Sequence, residues 1–76
     1  MFIFEKLREC REEKGLSQEQ MVIEISKLGL RLSRQTLANW ETGVTAPDAD
    51  SLSIMIIFFG KPVKHFFDKQ TAIKEI

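Results

Sequence analysis

An all-α, compact five-helix bundle is the fold that this 76-residue chain predicts, and three observations carry the expectation. Apolar residues recur at three- and four-residue intervals, the spacing of one buried helical face, and no stretch reads as a credible strand. Glycines 15, 29, 43 and 60 each fall just behind such a run, where a left-handed residue stops a helix. The connections are then turns of a few residues, the usual geometry of a helical bundle.

The first helix is expected from about Phe2 to Lys14, with Ile3, Phe4, Leu7 and Cys10 on its buried face and Gly15 as its stop. The second begins at "SQEQ", where Ser17 caps the backbone and Gln20 reaches back, a capping box. Met21, Val22, Ile25 and Leu28 form its apolar stripe, and Gly29 terminates it. Ser33 caps the third helix, which buries Leu37 and Trp40 and ends near Gly43. Pro47 and Asp48 open the fourth, built on Leu52, Met55, Ile56 and Phe59 and ended by Gly60. Pro62 opens a short fifth helix carrying Val63, Phe66 and Phe67. Residues 1–68 make one domain, and 69–76 a C-terminal tail, frayed or helical.

Composition narrows the function classes. The apolar content of 43 % suits a small packed core and is too high for a disordered tail. The apolar run "SLSIMIIFFG" is about half as long as a membrane-spanning helix requires, so no membrane partner is expected. The opening "MFIFEKLRE" turns charged after four residues and does not read as a signal peptide, which makes a cytoplasmic protein the default. One cysteine and one histidine offer neither an internal disulfide nor a metal site, and Cys10 reads as a small core residue. No nucleophile–base set, metal-ligand spacing or phosphate-cradling glycine loop is present, so neither an enzyme nor a cofactor is expected, and His65 reads as structure.

Eleven basic and eleven acidic residues cancel, which counts against a strongly electrostatic nucleic-acid binder. Their distribution is uneven. Residues 1–24 carry a net −2, residues 25–46 a net +2 from Lys27, Arg31 and Arg34 against Glu41, and the remainder balances. The mildly positive stretch contains "LSRQTLANWETG", whose polar residues Arg34, Gln35 and Asn39 are types that pair with base edges. Taken alone, such a polar face more often belongs to a solvated surface helix.

Three segments in order, "LRECREEKGLSQEQMV", "LSRQTLANWETG" and "PDADSLSIMIIFFGKPVKHFF", resemble the phage-repressor-type helix-turn-helix domain, the XRE or lambda-repressor-like family. The resemblance spans about four-fifths of the chain, from Leu7 to Phe67. It implies a sequence-specific transcriptional regulator that reads double-stranded operator DNA in the major groove through the third helix. Arg34, Gln35, Thr36 and Asn39 would contact bases. Arg can donate twice to guanine, Gln or Asn can pair with adenine, and the four-residue step from Gln35 to Asn39 keeps both on one face. Gln18, at the start of the second helix, would hold a phosphate and brace the reading helix, with Ser33, Arg31, Thr42 and Thr45 as further backbone contacts. Arg11 and Glu41 would form an ion pair clamping the first helix to the end of the third.

Two features depart from the family pattern. The usual spacing joins the second and third helices through about two residues, whereas "SKLGLRLS" adds about five. The addition, roughly Lys27 to Arg31, is expected to extend the second helix by a turn and lengthen the link, with Leu28 and Leu30 covering the corner and Leu32 packing inward. The fourth helix is apolar nearly all round, because Ile54, Ile57 and Phe58 join its core face. Either the fifth helix and tail cover these residues, or they form a dimer seam or a docking surface for a regulatory protein. The competing function is therefore a protein-interaction module or antitoxin working through the fourth helix. A homodimer would help the DNA reading, since two linked half-site contacts gain avidity.

Overall fold

The computed structural model describes residues 2–67. Four α-helices follow one another: α1 (Phe4–Glu13), α2 (Gln18–Ser26), α3 (Arg34–Thr42) and α4 (Ala49–Phe59), and a 3-10 helix, Val63–Phe66, comes last. The expected all-helical architecture holds, but the fifth α-helix does not form. Its place is taken by a four-residue 3-10 turn behind Pro62, in which the His65 N–H donates to the Pro62 carbonyl at 3.0 Å. The physical reason lies just beyond it. Phe67 is extended and bridges Phe2, and the Ile3 N–H donates to the Phe66 carbonyl at 2.7 Å. Once Phe66 is anchored in the core, those pairings pull the chain out of helical geometry. The tail expected at 69–76 lies outside the described residues.

Local chemistry sets the helix starts. Ser17 and Gln20 form the reciprocal capping box of α2, Ser33 accepts from the Thr36 N–H to start α3, and Asp48 accepts from the Ser51 N–H to start α4. Such caps satisfy amides that have no partner within the helix. The Asp48 carboxyl is held below its ordinary value, chiefly by its hydrogen bonds with Ser51.

The core takes side chains from every element: Leu7 and Cys10 from α1, Met21 and Ile25 from α2, Leu37 and Trp40 from α3, Met55 and Phe59 from α4, and Phe66. Each large apolar side chain removed from water in this way stabilises the fold by about 2 kcal/mol. Burial also raises the Cys10 thiol above its ordinary pKa, as expected of a core residue. Val22, Leu30, Leu32, Leu52 and Ile56 pack more loosely around this centre.

The link between α2 and α3 corrects the sequence expectation. Lys27 to Arg31 add no α-helical turn, since α2 ends at Ser26. The N–H groups of Lys27, Leu28 and Gly29 donate three residues back, to Glu24, Ile25 and Ser26, a tighter winding than the α-helix allows. The Ser26 hydroxyl bonds the Ile23 carbonyl at 2.6 Å, and Gly29, at φ +97°, then turns the chain away. Leu30 and Leu32 face the core, whereas Leu28 remains exposed.

Candidate nucleic-acid interface

Helix α3 is amphipathic with a sharp division. Leu37 and Trp40 are buried, and Glu41 is buried beside them as the only charged residue in the core of the described molecule. On the other side Arg34 and Gln35 are exposed, while Thr36 and Asn39 are partly so. The four residues considered for base contact therefore share the outer half of one helix. Gln35 Nε2 donates to Asn39 Oδ1 at 3.0 Å, which links the two amides one turn apart. Their unused donors and acceptors remain available to a ligand.

The orientation of this face is fixed from below. Glu41 accepts from Arg11 Nε at 2.7 Å and from Arg11 Nη2 at 3.0 Å, a bidentate pair spanning thirty residues of sequence. The two side chains are 11 % and 3 % exposed. Arg11 Nη1 also donates to the Leu16 carbonyl at 2.8 Å, and Gln18 Nε2 donates to Glu41 Oε1 at 3.2 Å. One carboxylate thus joins α1, the α1–α2 turn, the first turn of α2 and the last turn of α3. The hydrogen bond to Glu41 raises the Arg11 pKa, so this guanidinium stays charged despite its burial.

The far end of α3 is held as tightly. Gly43 is left-handed at φ +81°, and the Asn39 carbonyl collects the N–H groups of Gly43 and Val44, the latter at 2.9 Å. A Cβ on Gly43 would sit 2.8 Å from the Phe4 ring, so both the conformation and the close approach require glycine. Phe4, assigned from sequence only to the buried face of α1, closes the end of α3.

The residues considered for phosphate contact are scattered in role. Gln18 stands at the start of α2 and keeps one amide hydrogen beyond its bond to Glu41. Ser33 is committed to its cap, accepting from the Thr36 N–H at 3.0 Å and donating to Thr36 Oγ1 at 2.8 Å. That bond leaves the Thr36 hydroxyl proton free. The Thr42 hydroxyl donates to the Ala38 carbonyl at 2.8 Å, so contact with a phosphate would require it to rotate. Thr45 is exposed in the loop after α3, and Arg31 is exposed in the link with no ion pair among the described residues. One neighbour was not singled out from the sequence: Glu19 Oε1 lies 3.5 Å from Arg34 Nη1. Its signal was weak, since an acidic residue in a first helical turn ordinarily serves the helix dipole alone.

The three residues considered for a dimer or partner surface do not share one exposure. Ile54 and Phe58 are partly buried against the core, and the Lys14 ammonium lies 5.1 Å from the centre of the Phe58 ring, whereas Ile57 is 73 % exposed. Residues 54 and 58 lie one turn apart and turn toward the bundle together, which leaves Ile57 outside.

The order of elements, the capped third helix and its anchored inner face place one polar helix side outward on a buried support. A family model described as helix-turn-helix matches residues 7–66. The chain belongs to the helix-turn-helix family. No curated protein and no solved structure matches it. In this helix-turn-helix domain residues 27–33 link α2 to α3. The family is one of DNA-binding regulators of the phage-repressor, XRE type. Among the described residues no helix is long and apolar enough to cross a membrane, and no group of acidic, His or Cys side chains is placed to hold a metal ion.

Proposed function

We propose that the protein is a sequence-specific transcriptional regulator that reads operator DNA in the major groove through α3. One observation carries this reading: Arg34, Gln35, Thr36 and Asn39 lie on the outer half of a helix whose inner half is locked by Leu37, Trp40 and the Arg11–Glu41 pair. A rigid helix with a polar outer face fits a groove about 12 Å wide. Arg34 is assigned to guanine, and the linked amides of Gln35 and Asn39 to adenine. Gln18 and Thr45 are assigned to phosphates beside the groove, where they would set register without reading sequence.

Selection from a library of random duplexes tests the proposal. One motif is expected to be enriched, and binding is expected to weaken as salt rises. Arg34→Ala and Gln35→Ala should each relax preference at one position, at about 1–3 kcal/mol per lost base contact. Enrichment of no motif would reject the reading. The neutral net charge implies modest affinity for a single copy, so two copies on paired half-sites are the favoured binding state.

The exposure of Ile57 supports a second reading, in which the outer side of α4 holds a second copy or a regulatory protein, as an antitoxin would hold its toxin. Sedimentation of the wild type and Ile57→Lys tests it. A monomer in both, with no change in the affinity for paired half-sites, would remove α4 as the seam between copies.

A further inference from the structure

We infer that Glu19 is a specificity-determining residue, positioning Arg34 for a base and keeping it off the phosphates. This inference rests on the DNA-reading proposal above. Glu19 stands in the first turn of α2 and Arg34 is the first residue of α3, so the pair bridges the two helices of the helix-turn-helix. Oε1 and Nη1 are 3.5 Å apart, with side chains 72 % and 66 % exposed. Among the described residues this is the only side-chain bond of Arg34, which leaves Nε and Nη2 free.

An exposed pair at this separation contributes almost nothing to stability, so folding does not account for it. Its position does have consequences beside DNA. An arginine on a flexible stem bonds phosphate as readily as guanine, and phosphate contacts carry affinity without sequence information. A carboxylate on one edge of the guanidinium repels phosphate oxygens there and offers the other edge to the base. Arg34 also sits at the positive end of the α3 dipole, an unfavourable place for a cation that Glu19 offsets. The arrangement weakens binding to every duplex but weakens it more for the wrong one. Specificity is that difference.

The test uses the full chain as wild type, Glu19→Gln, Arg34→Ala and the double variant. The probes are the selected duplex and a second duplex altered at the base pair whose preference Arg34→Ala relaxes. Glu19→Gln is expected to bind both duplexes more tightly and the altered one disproportionately, so that the ratio of their affinities falls by about tenfold. In the Arg34→Ala background, Glu19→Gln should leave the ratio unchanged. Circular dichroism should show equal folding of all four chains. An unchanged ratio in Glu19→Gln, with a motif still selected by the wild type, overturns the role of Glu19 and leaves the DNA reading standing. Repeating the duplex selection with Glu19→Gln adds one outcome: a preference lost at a base pair that Arg34→Ala leaves intact overturns the inference differently, by making Glu19 a direct reader of cytosine. Failure of the wild type to select any duplex rejects the DNA reading itself, and this inference with it.

Discussion

Two acid–arginine pairs attach α3 to the rest of the molecule, and they are opposites. Arg11–Glu41 is bidentate, with bonds of 2.7 and 3.0 Å, and almost fully buried; Glu19–Arg34 is a single contact of 3.5 Å in solvent. In the buried pair both Glu41 oxygens are bonded, by Arg11 and Gln18, which fixes where the helix lies. The exposed pair can open at little cost, which leaves its arginine free to exchange a carboxylate for a ligand. The residue types are the same in both, and burial with bidentate geometry makes one a structural joint while the other stays open to solvent.

Removing one partner of the buried pair should have the largest effect. Arg11→Ala leaves the Glu41 carboxylate uncompensated inside the protein, and a loss of about 3 kcal/mol is expected in urea unfolding. The double variant Arg11→Met/Glu41→Leu should recover most of that stability while lowering affinity for the selected duplex. Full recovery of both would show that the joint has no part in orienting α3. Gly43→Ala comes next, at about 2 kcal/mol from the left-handed backbone and the displaced Phe4 ring. The additional variant Phe4→Leu should relieve part of this, read as a partial return of the unfolding midpoint.

A third carboxylate, exposed Asp48, should have a smaller and pH-dependent effect. Its folded pKa lies below the unfolded value of about 3.9, so its contribution is complete above that value and is lost as pH falls through the folded one. Thermal melts of Asp48→Asn across acidic pH should therefore show a shallower decline than the wild type. Smallest of all, Glu19→Gln should shift stability by less than about 0.5 kcal/mol. A larger loss would place the exposed pair in the same structural class as the buried one.

The contrast also explains what was legible in the sequence. The caps at Ser17, Ser33 and Asp48 and the stops at Gly15, Gly43 and Gly60 depend on neighbours within a few residues, so their chemistry is visible in the string itself. Leu7, Met21, Ile25, Leu37, Trp40 and Met55 follow from helical spacing for the same reason. Arg11 and Glu41 are thirty residues apart and carry no local signal; only family resemblance paired them. Glu19 and Arg34, fifteen apart, had not even that. The end of α2 was misread because Lys27 and Leu28 suit an α-helix, while the three tighter hydrogen bonds and the Ser26 side chain decide otherwise. The last helix was misread because the bridge between Phe2 and Phe67 joins the two ends of the described chain.

That bridge has a topological consequence. With residues 2 and 67 paired and the Ile3 N–H bonded to the Phe66 carbonyl, the path from α1 to the 3-10 helix is nearly a closed ring. A ring can be cut elsewhere. The exposed turn at Gly29 is the natural place, and a permuted chain starting there would run α3, α4, the 3-10 helix, a short new linker, α1 and α2. Such a molecule would keep the nine core side chains while severing the one covalent connection between α2 and α3. Helix α3 would then be attached to its neighbour only through packing and the two carboxylates.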